Sequence, residues 1–220
     1  MKKVLLVILA GMFAFGTAQA QPSFTIGLGL NKGVFAAEGR EDNFDESGSL
    51  ASQTVEYGAF EDTYASIYVE MGNEVGSIGL AYQGDVSTPT NVNERGAGPS
   101  DDSDPTSKVS ASFDDVITVY GLVNLPMNLY LKAGIVQGDI GVNETQKSGN
   151  TYADQDLEGY VIGFGYQHEA DAANVRIELL GHTYDDVTAN NGVATTGNHN
   201  KITISDMIGA NAQISVNRSF

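Results

Sequence analysis

Ile208-Gly209-Ala210-Asn211-Ala212-Gln213-Ile214-Ser215-Val216-Asn217-Arg218-Ser219-Phe220, the last stretch of the chain, alternates between apolar and small or polar residues. A period of two belongs to an extended strand, whose successive side chains point to opposite faces. Ile208, Ala210, Ala212, Ile214 and Val216 share one face, and Gly209, Asn211, Gln213, Ser215 and Asn217 share the other. Arg218 alone breaks the pattern, with a stem long enough to lie on apolar surface while its charge reaches water.

The same alternation recurs upstream. Phe24, Ile26, Leu28 and Leu30 oppose Thr25, Gly27, Gly29 and Asn31, and Ile67, Val69 and Met71 oppose Ser66, Tyr68 and Glu70. Leu129, Leu131, Ala133 and Ile135 oppose Asn128, Tyr130, Lys132 and Gly134, while Tyr160, Ile162, Phe164 and Tyr166 oppose Gly159, Val161, Gly163 and Gly165. The weakest case holds Ile117, Val119 and Val123 against Thr118, Tyr120 and an apolar Leu122. No segment keeps a helical apolar period over three turns, so the chain reads as all-β. Eight strands are predicted, over 24–36, 62–71, 75–85, 112–124, 127–142, 157–168, 174–187 and 201–220.

Their connections alternate in kind. Gly72-Asn73-Glu74, Leu125-Pro126 and the segment 169–173 are tight links of hairpin type, whereas 39–61, 86–111, 143–156 and 188–200 are long and polar. Short turns at one end and long loops at the other describe an eight-stranded antiparallel up-and-down transmembrane β-barrel, turns toward the periplasm and loops outside. A soluble barrel would show the same alternation with its faces exchanged. The direction is set by Glu70, Lys132, Arg176 and Glu178, which lie on the polar face well inside strands, where a water-facing wall gains nothing from pairing them.

Composition narrows the partners. The formal charge is −17, and −19 once Lys2 and Lys3 are removed, which excludes a nucleic-acid surface. There are no cysteines, hence no disulfide scaffold and no thiolate-ligated metal. Lys2 and Lys3, the apolar run 4–15 and Ala18-Gln19-Ala20 have the three parts of a cleavable signal peptide over 1–20, leaving one domain over 21–220. The apolar run is too short for a spanning helix, which needs about 20 residues.

The ending with Ile214, Val216 and a final Phe220 resembles the signal by which the outer-membrane assembly machinery recognises barrel clients, with Arg218 where an apolar residue is usual. Gly163-Phe164-Gly165-Tyr166-Gln167, then Asn174-Val175-Arg176-Ile177-Glu178-Leu179 and Tyr184-Asp185-Asp186-Val187, resembles the penultimate hairpin of the small OmpA/OmpX/opacity-type outer-membrane barrels, Leu179 standing where that family has Tyr. Leu129-Tyr130-Leu131-Lys132-Ala133-Gly134 is similar to the family's fifth strand. The resemblance implies an outer-membrane location, contact with membrane lipids and lipopolysaccharide, and a structural or surface-interaction role.

Four candidate features follow. Glu70, Lys132, Arg176 and Glu178 should meet in the periplasmic third of the lumen and plug it by pairing, since an eight-stranded interior is only wide enough for side chains. Lumen-facing Gly27, Gly29, Gly79, Gly163 and Gly165 leave room for Arg and Tyr side chains from across the barrel. Acidic Arg40-Glu41-Asp42-Asn43-Phe44-Asp45-Glu46 and Asp101-Asp102-Ser103-Asp104 are a solvated surface, with divalent-cation binding as the functional alternative. Phe24, Phe60, Tyr64, Tyr82, Phe113, Tyr160, Tyr166 and Phe220 suit aromatic girdles at the membrane surfaces. No cofactor or resident metal is expected, and His168, His182 and His199 are too scattered to suggest an enzyme. His182 with Asp185 and Asp186 is the nearest approach to an outer-membrane rim protease, and no Ser-His pair of a lipid A hydrolase stands on the lipid face. A small porin or an OmpW-like conduit for apolar molecules is the competing function.

Overall fold

The computed structural model describes residues 23–88, 91–94, 106–145, 152–191 and 199–220. Eleven strands lie in one antiparallel sheet: β1 (Ser23–Phe44), β2 (Leu50–Gly72), β3 (Gly76–Gln83), β4 (Val86–Ser87), β5 (Asn91–Glu94), β6 (Thr106–Asn124), β7 (Leu129–Thr145), β8 (Gln155–His168), β9 (Asn174–Tyr184), β10 (Val187–Asn190) and β11 (Asn200–Ser219). Around the ring they form eight staves in the order β1-β2-β3-β6-β7-β8-β9-β11. β4 and β5 continue the third stave along β6, and β10 continues the seventh along β11. The ring closes where β1 pairs with β11, from Thr25↔Ser219 to Asn43↔Asn200. Phe24 and Phe220 exchange backbone hydrogen bonds at the seam, and the Thr25 and Ser219 hydroxyls meet at 2.8 Å.

The two faces of the wall settle which way the alternation points. Leu28 is 63% exposed and Ile162 70%, whereas Glu178 is 2% and Glu70 4%. A water-soluble protein buries the first kind and wets the second, so this exterior is built for acyl chains. The outward apolar band stops at about the level of Lys32 and Glu61, which face outward and pair at 3.3 Å on β1 and β2.

The segment 39–61, expected as a loop, is mostly strand. β1 runs on to Phe44 and β2 starts at Leu50, in register from Ala37↔Gly58 to Asn43↔Ser52. Alternation fades there because this extension is polar on both faces, exposed along β2 and half-buried along β1 with Asp42 buried, yet backbone pairing needs no buried apolar face. The links at 86–111, 143–156 and 188–200 likewise contain strand: β4, β5 and the start of β6, the ends of β7 and β8, and β10. Asp45 closes the β1–β2 turn by accepting hydrogen bonds from the Ser47 hydroxyl and from the Ser47 and Ser49 amides. Those donors hold its carboxyl below the ordinary carboxylate range.

Two bulges sit where the apolar band ends. β1 and β11 slip register between Ala36 and Glu38, opposite Asp206, and β6 slips against β7 between Asp114 and Ile117. Asp206 and Asp115 adopt φ of 51° and 50° there, a conformation that Asp tolerates better than most side chains. Above this level the wall divides. The pairing of β2 with β3 stops at Ser66↔Gln83, and that of β8 with β9 stops at Gly159↔Tyr184. Two arms continue outward, one of β10, β11, β1 and β2, the other of β4, β5, β6, β7 and β8.

Candidate functional site

The lumen is stratified. In its periplasmic half the four charges expected inside form two ion pairs. Arg176 grips Glu70 with both terminal nitrogens, Nη1 to Oε1 at 2.6 Å and Nη2 to Oε2 at 2.9 Å. Lys132 Nζ lies 3.3 and 3.2 Å from the two oxygens of Glu178. Such charges are tolerable out of water only when partnered and their remaining lone pairs filled, and two tyrosines do the filling.

Tyr120 donates its hydroxyl to Glu70 at 2.8 Å while its ring lies beneath the Lys132 ammonium, 4.1 Å from the centroid. Tyr130 does the converse, donating to Glu178 at 2.8 Å with the Arg176 guanidinium 5.4 Å from its ring centre. Each tyrosine thus bonds the acid of one pair and supports the base of the other, so the pairs are interlocked rather than side by side. Tyr68 lies under Arg176 on another side, and Gln167 accepts from Arg176 Nε at 2.6 Å.

The lumen-facing glycines leave room for these three tyrosines from the neighbouring strand rather than from across the barrel. Each shares the parity of the lumen charges and stands in register with a glycine of the adjacent strand: Tyr68 with Gly27, Tyr120 with Gly79, Tyr130 with Gly165. A methyl group on any of those glycines would overlap the tyrosine ring. Gly163 makes the same room for Leu180, and Gly29 for Ser66 and Gln213.

The outer half of the lumen corrects the expectation of an interior of glycine, amide and ionic groups. It is packed with Val116, Val136, Ile140, Leu157, Val161, Leu180, Val187 and Met207. Phe35, Tyr64 and Val86 form a second group, and Phe60 and Phe113 pack against it. Phe60, Tyr64 and Phe113 therefore face inward instead of belonging to a girdle, Phe60 stacking on Phe35 at 5.3 Å and on Phe113 at 6.1 Å. The inward face stays apolar here because an interior closed to lipid and to water is satisfied by either chemistry, which alternation alone does not distinguish.

Between the layers lies a chamber of about 30 Å3, lined by side chains that include Asn31, Tyr64, Lys132, His182 and Asn211. Below the ion pairs a cup of about 550 Å3 opens at the periplasmic mouth, with Glu70 and Arg176 among its walls and Glu74, Glu169 and Asp171 beside them.

His182 is buried in the lumen, bonded through Nε2 to Asn211 and stacked on Tyr184. It has no bond to Asp185 or Asp186 among those described, so the rim arrangement considered for a protease is not assembled around it. In the acidic tip, Asp42 accepts from Gln53 at 2.7 Å and meets Arg40, and Glu41 accepts from Asn200. Among the described residues no three His, Asp or Glu side chains converge as metal ligands. The segment 101–104 and residues 1–20 lie outside the described residues. Ile214 and Val216 project outward, and the Arg218 guanidinium lies over the exposed ring of Phe220 at 5.4 Å.

Apolar outside, ion-paired inside, closed on itself and turned by tight links at one end: this is the fold of a small outer-membrane β-barrel. Among solved structures the chain is similar to the outer-membrane protein OprG from Pseudomonas aeruginosa, at 11% identity over 90% of this chain and 97% of that one, with a TM-score of 0.56. The outer-membrane protease OmpT from Escherichia coli (9% identity, 89% and 97% covered, TM-score 0.42) and Neisserial surface protein A (9%, 87% and 97%, 0.36) are more distant in path. No protein-family model and no curated sequence matches the chain.

Proposed function

We propose that this chain is an outer-membrane barrel of the OmpA/OmpX/opacity kind, serving as a closed anchor for a surface-exposed β-sheet rather than as a pore. The observation that carries this reading is the double closure of the lumen: interlocked ion pairs fill one half and apolar side chains the other, leaving only about 30 Å3 between them. A conduit needs a continuous passage, and a space of that size holds one or two waters.

What the anchor presents is the pair of arms above the apolar band, carrying exposed Leu50, Val55 and Tyr57 among acidic neighbours. Lipopolysaccharide and neighbouring cell surfaces are the partners within reach of these arms, with divalent cations able to bridge carboxylate to phosphate. Membrane lipids contact the wall, and the assembly machinery would read Ile214, Val216 and Phe220 during biogenesis. Catalysis is not part of this reading.

Planar-bilayer recording of the refolded protein tests the closure. The expected outcome is an electrically silent bilayer under conditions where a folded-versus-unfolded gel shift shows insertion. Long-lived open steps from the wild-type protein would refute the closed anchor and favour the small porin.

A further inference from the structure

His182 stands on β9 between the charged and apolar layers, and its proton inventory can be read from its neighbours. The Tyr64 carbonyl can only accept, so the Asn31 amide nitrogen must be the group that turns toward it, at 3.4 Å, with Ser66 Oγ at 3.0 Å. Asn31 Oδ1 is then left to accept from Asn211 Nδ2 at 2.9 Å, which leaves Asn211 Oδ1 facing His182 Nε2 at 2.6 Å. An amide oxygen has no proton to give, so Nε2 carries one. In the neutral ring Nδ1 is therefore a bare lone pair. It is buried, on a residue 8% exposed, and has no hydrogen-bond partner.

An unpaired acceptor out of water is costly, and its residue lines the chamber of about 30 Å3, which is large enough for water and offers it polar partners such as Ser66, Gln83 and Gln213. Lys132 lines the same chamber, with its ammonium bonded to Glu178 and lying over Tyr120. The other titratable groups around His182 are neutral phenols: Tyr64 and Tyr68 across the chamber on β2, and Tyr184 stacked 6.0 Å away on β9. Asn31 from β1, Asn211 and Gln213 from β11 and Val161 from β8 bring no charge. Both lumen carboxylates are already engaged, Glu70 by Arg176 and Glu178 by Lys132.

We propose that His182 is a proton-binding site built into the lumen, served by water in the chamber: uptake at Nδ1 adds a second cation to the chamber that Lys132 already lines, with both lumen carboxylates already paired, and loosens the plug. The bond that forms is Nδ1–H, the proton coming from bulk water through the chamber, and Nε2–H stays on Asn211. An unfolded chain gives the same imidazole an uncompensated aqueous surrounding, so acid favours unfolding through this residue. The loss of stability begins as pH falls through the range in which a histidine of the unfolded chain takes up its proton.

Protein with 15N-labelled histidine, refolded in micelles, tests this by a long-range proton–nitrogen correlation of the imidazoles and by thermal unfolding at about pH 8 and about pH 5.5. The expected result is an Nε2–H tautomer for His182 at the higher pH, its conversion to the cation on acidification, and a fall in unfolding temperature that is reduced in His182→Asn. A His168→Asn, His199→Asn double variant leaves His182 as the only histidine and supplies both readouts should His182→Asn fail to fold. An Nδ1–H tautomer, a ring that does not titrate over that range, or the same acid response without His182 would overturn the proposal. None of these outcomes depends on whether the lumen conducts.

Discussion

Single residues carry the lumen network, and there the sequence is legible only in part. Parity alone marks Glu70, Lys132, Arg176 and Glu178 as inward, but which acid meets which base depends on the stagger of strands around the ring, which no single segment encodes. The support from Tyr120 and Tyr130 is hidden for the same reason, although the glycine that makes space for each lies one strand away. Lys132→Ala leaves Glu178 buried with the Tyr130 hydroxyl as its remaining partner, and is expected to cost about 3–5 kcal/mol, the range for breaking a buried pair from one side. Urea unfolding of the vesicle-inserted protein measures it, and a loss near zero would mean that the pair is not holding the plug. A second residue is strained in the opposite sense. Met127, 83% exposed in the turn between β6 and β7, has φ of 66°. A side chain in that left-handed region is disfavoured by about 1–2 kcal/mol, so Met127→Gly should stabilise the barrel by about 0.5–1 kcal/mol after glycine's greater entropy when unfolded is counted. The same unfolding experiment reads it, and a destabilised variant would show that the Met127 side chain contributes more than its backbone costs.

At the scale of strands, period-two alternation marks the staves well because one face of each meets lipid and the other a crowded interior. It fails where that contrast disappears. In β1 and β2 beyond about Ala37 and Gly58 neither face meets lipid or an apolar interior, and polar residues on both faces read as loop although the backbones stay paired. The inner face of the outer half is the reverse case, apolar on the side expected to be polar, because Val116, Ile140 and Leu157 close the interior as well as salt bridges do. Depth in the membrane can be tested strand by strand. Ile162, central on the outward face of β8 and flanked by Ala133 and Gly181 in register, should meet the bilayer interior. Ile162→Arg is expected to cost about 2–4 kcal/mol in lipid vesicles, as charges on a barrel's lipid face do near the midplane. Val55→Arg, on the extension, should stay within about 0.5 kcal/mol of wild type. Equal penalties at the two sites would mean that the apolar band has been placed at the wrong height.

For the molecule as a whole, closure and display are separable. What seals the barrel lies in the barrel and at the base of the arms: the ion pairs near the periplasmic mouth, the apolar layer, which reaches Val187 on β10 and Val86 on β4, and the Phe35, Phe60 and Phe113 stack that ties β1 and β2 to β6. The β1–β2 hairpin above Glu38↔Tyr57 adds no member to either buried apolar group, and its register continues to the Asp45 turn. Stability ought therefore to reside in the lower barrel, while the hairpin provides reach. Deleting residues 39–56 and joining Glu38 to Tyr57 through an Asn-Gly turn cuts the extension while keeping Phe35, Phe60 and Tyr64, and that dipeptide suits a two-residue hairpin connection. The shortened protein should still insert, keep its gel shift and leave bilayers silent, because nothing in the plug has been touched. Binding to lipopolysaccharide-coated or cell surfaces should fall if the arms are the contacting element. A shortened chain that no longer folds would place the hairpin in the structural core, and one that folds but conducts would make the hairpin the lid on a pore.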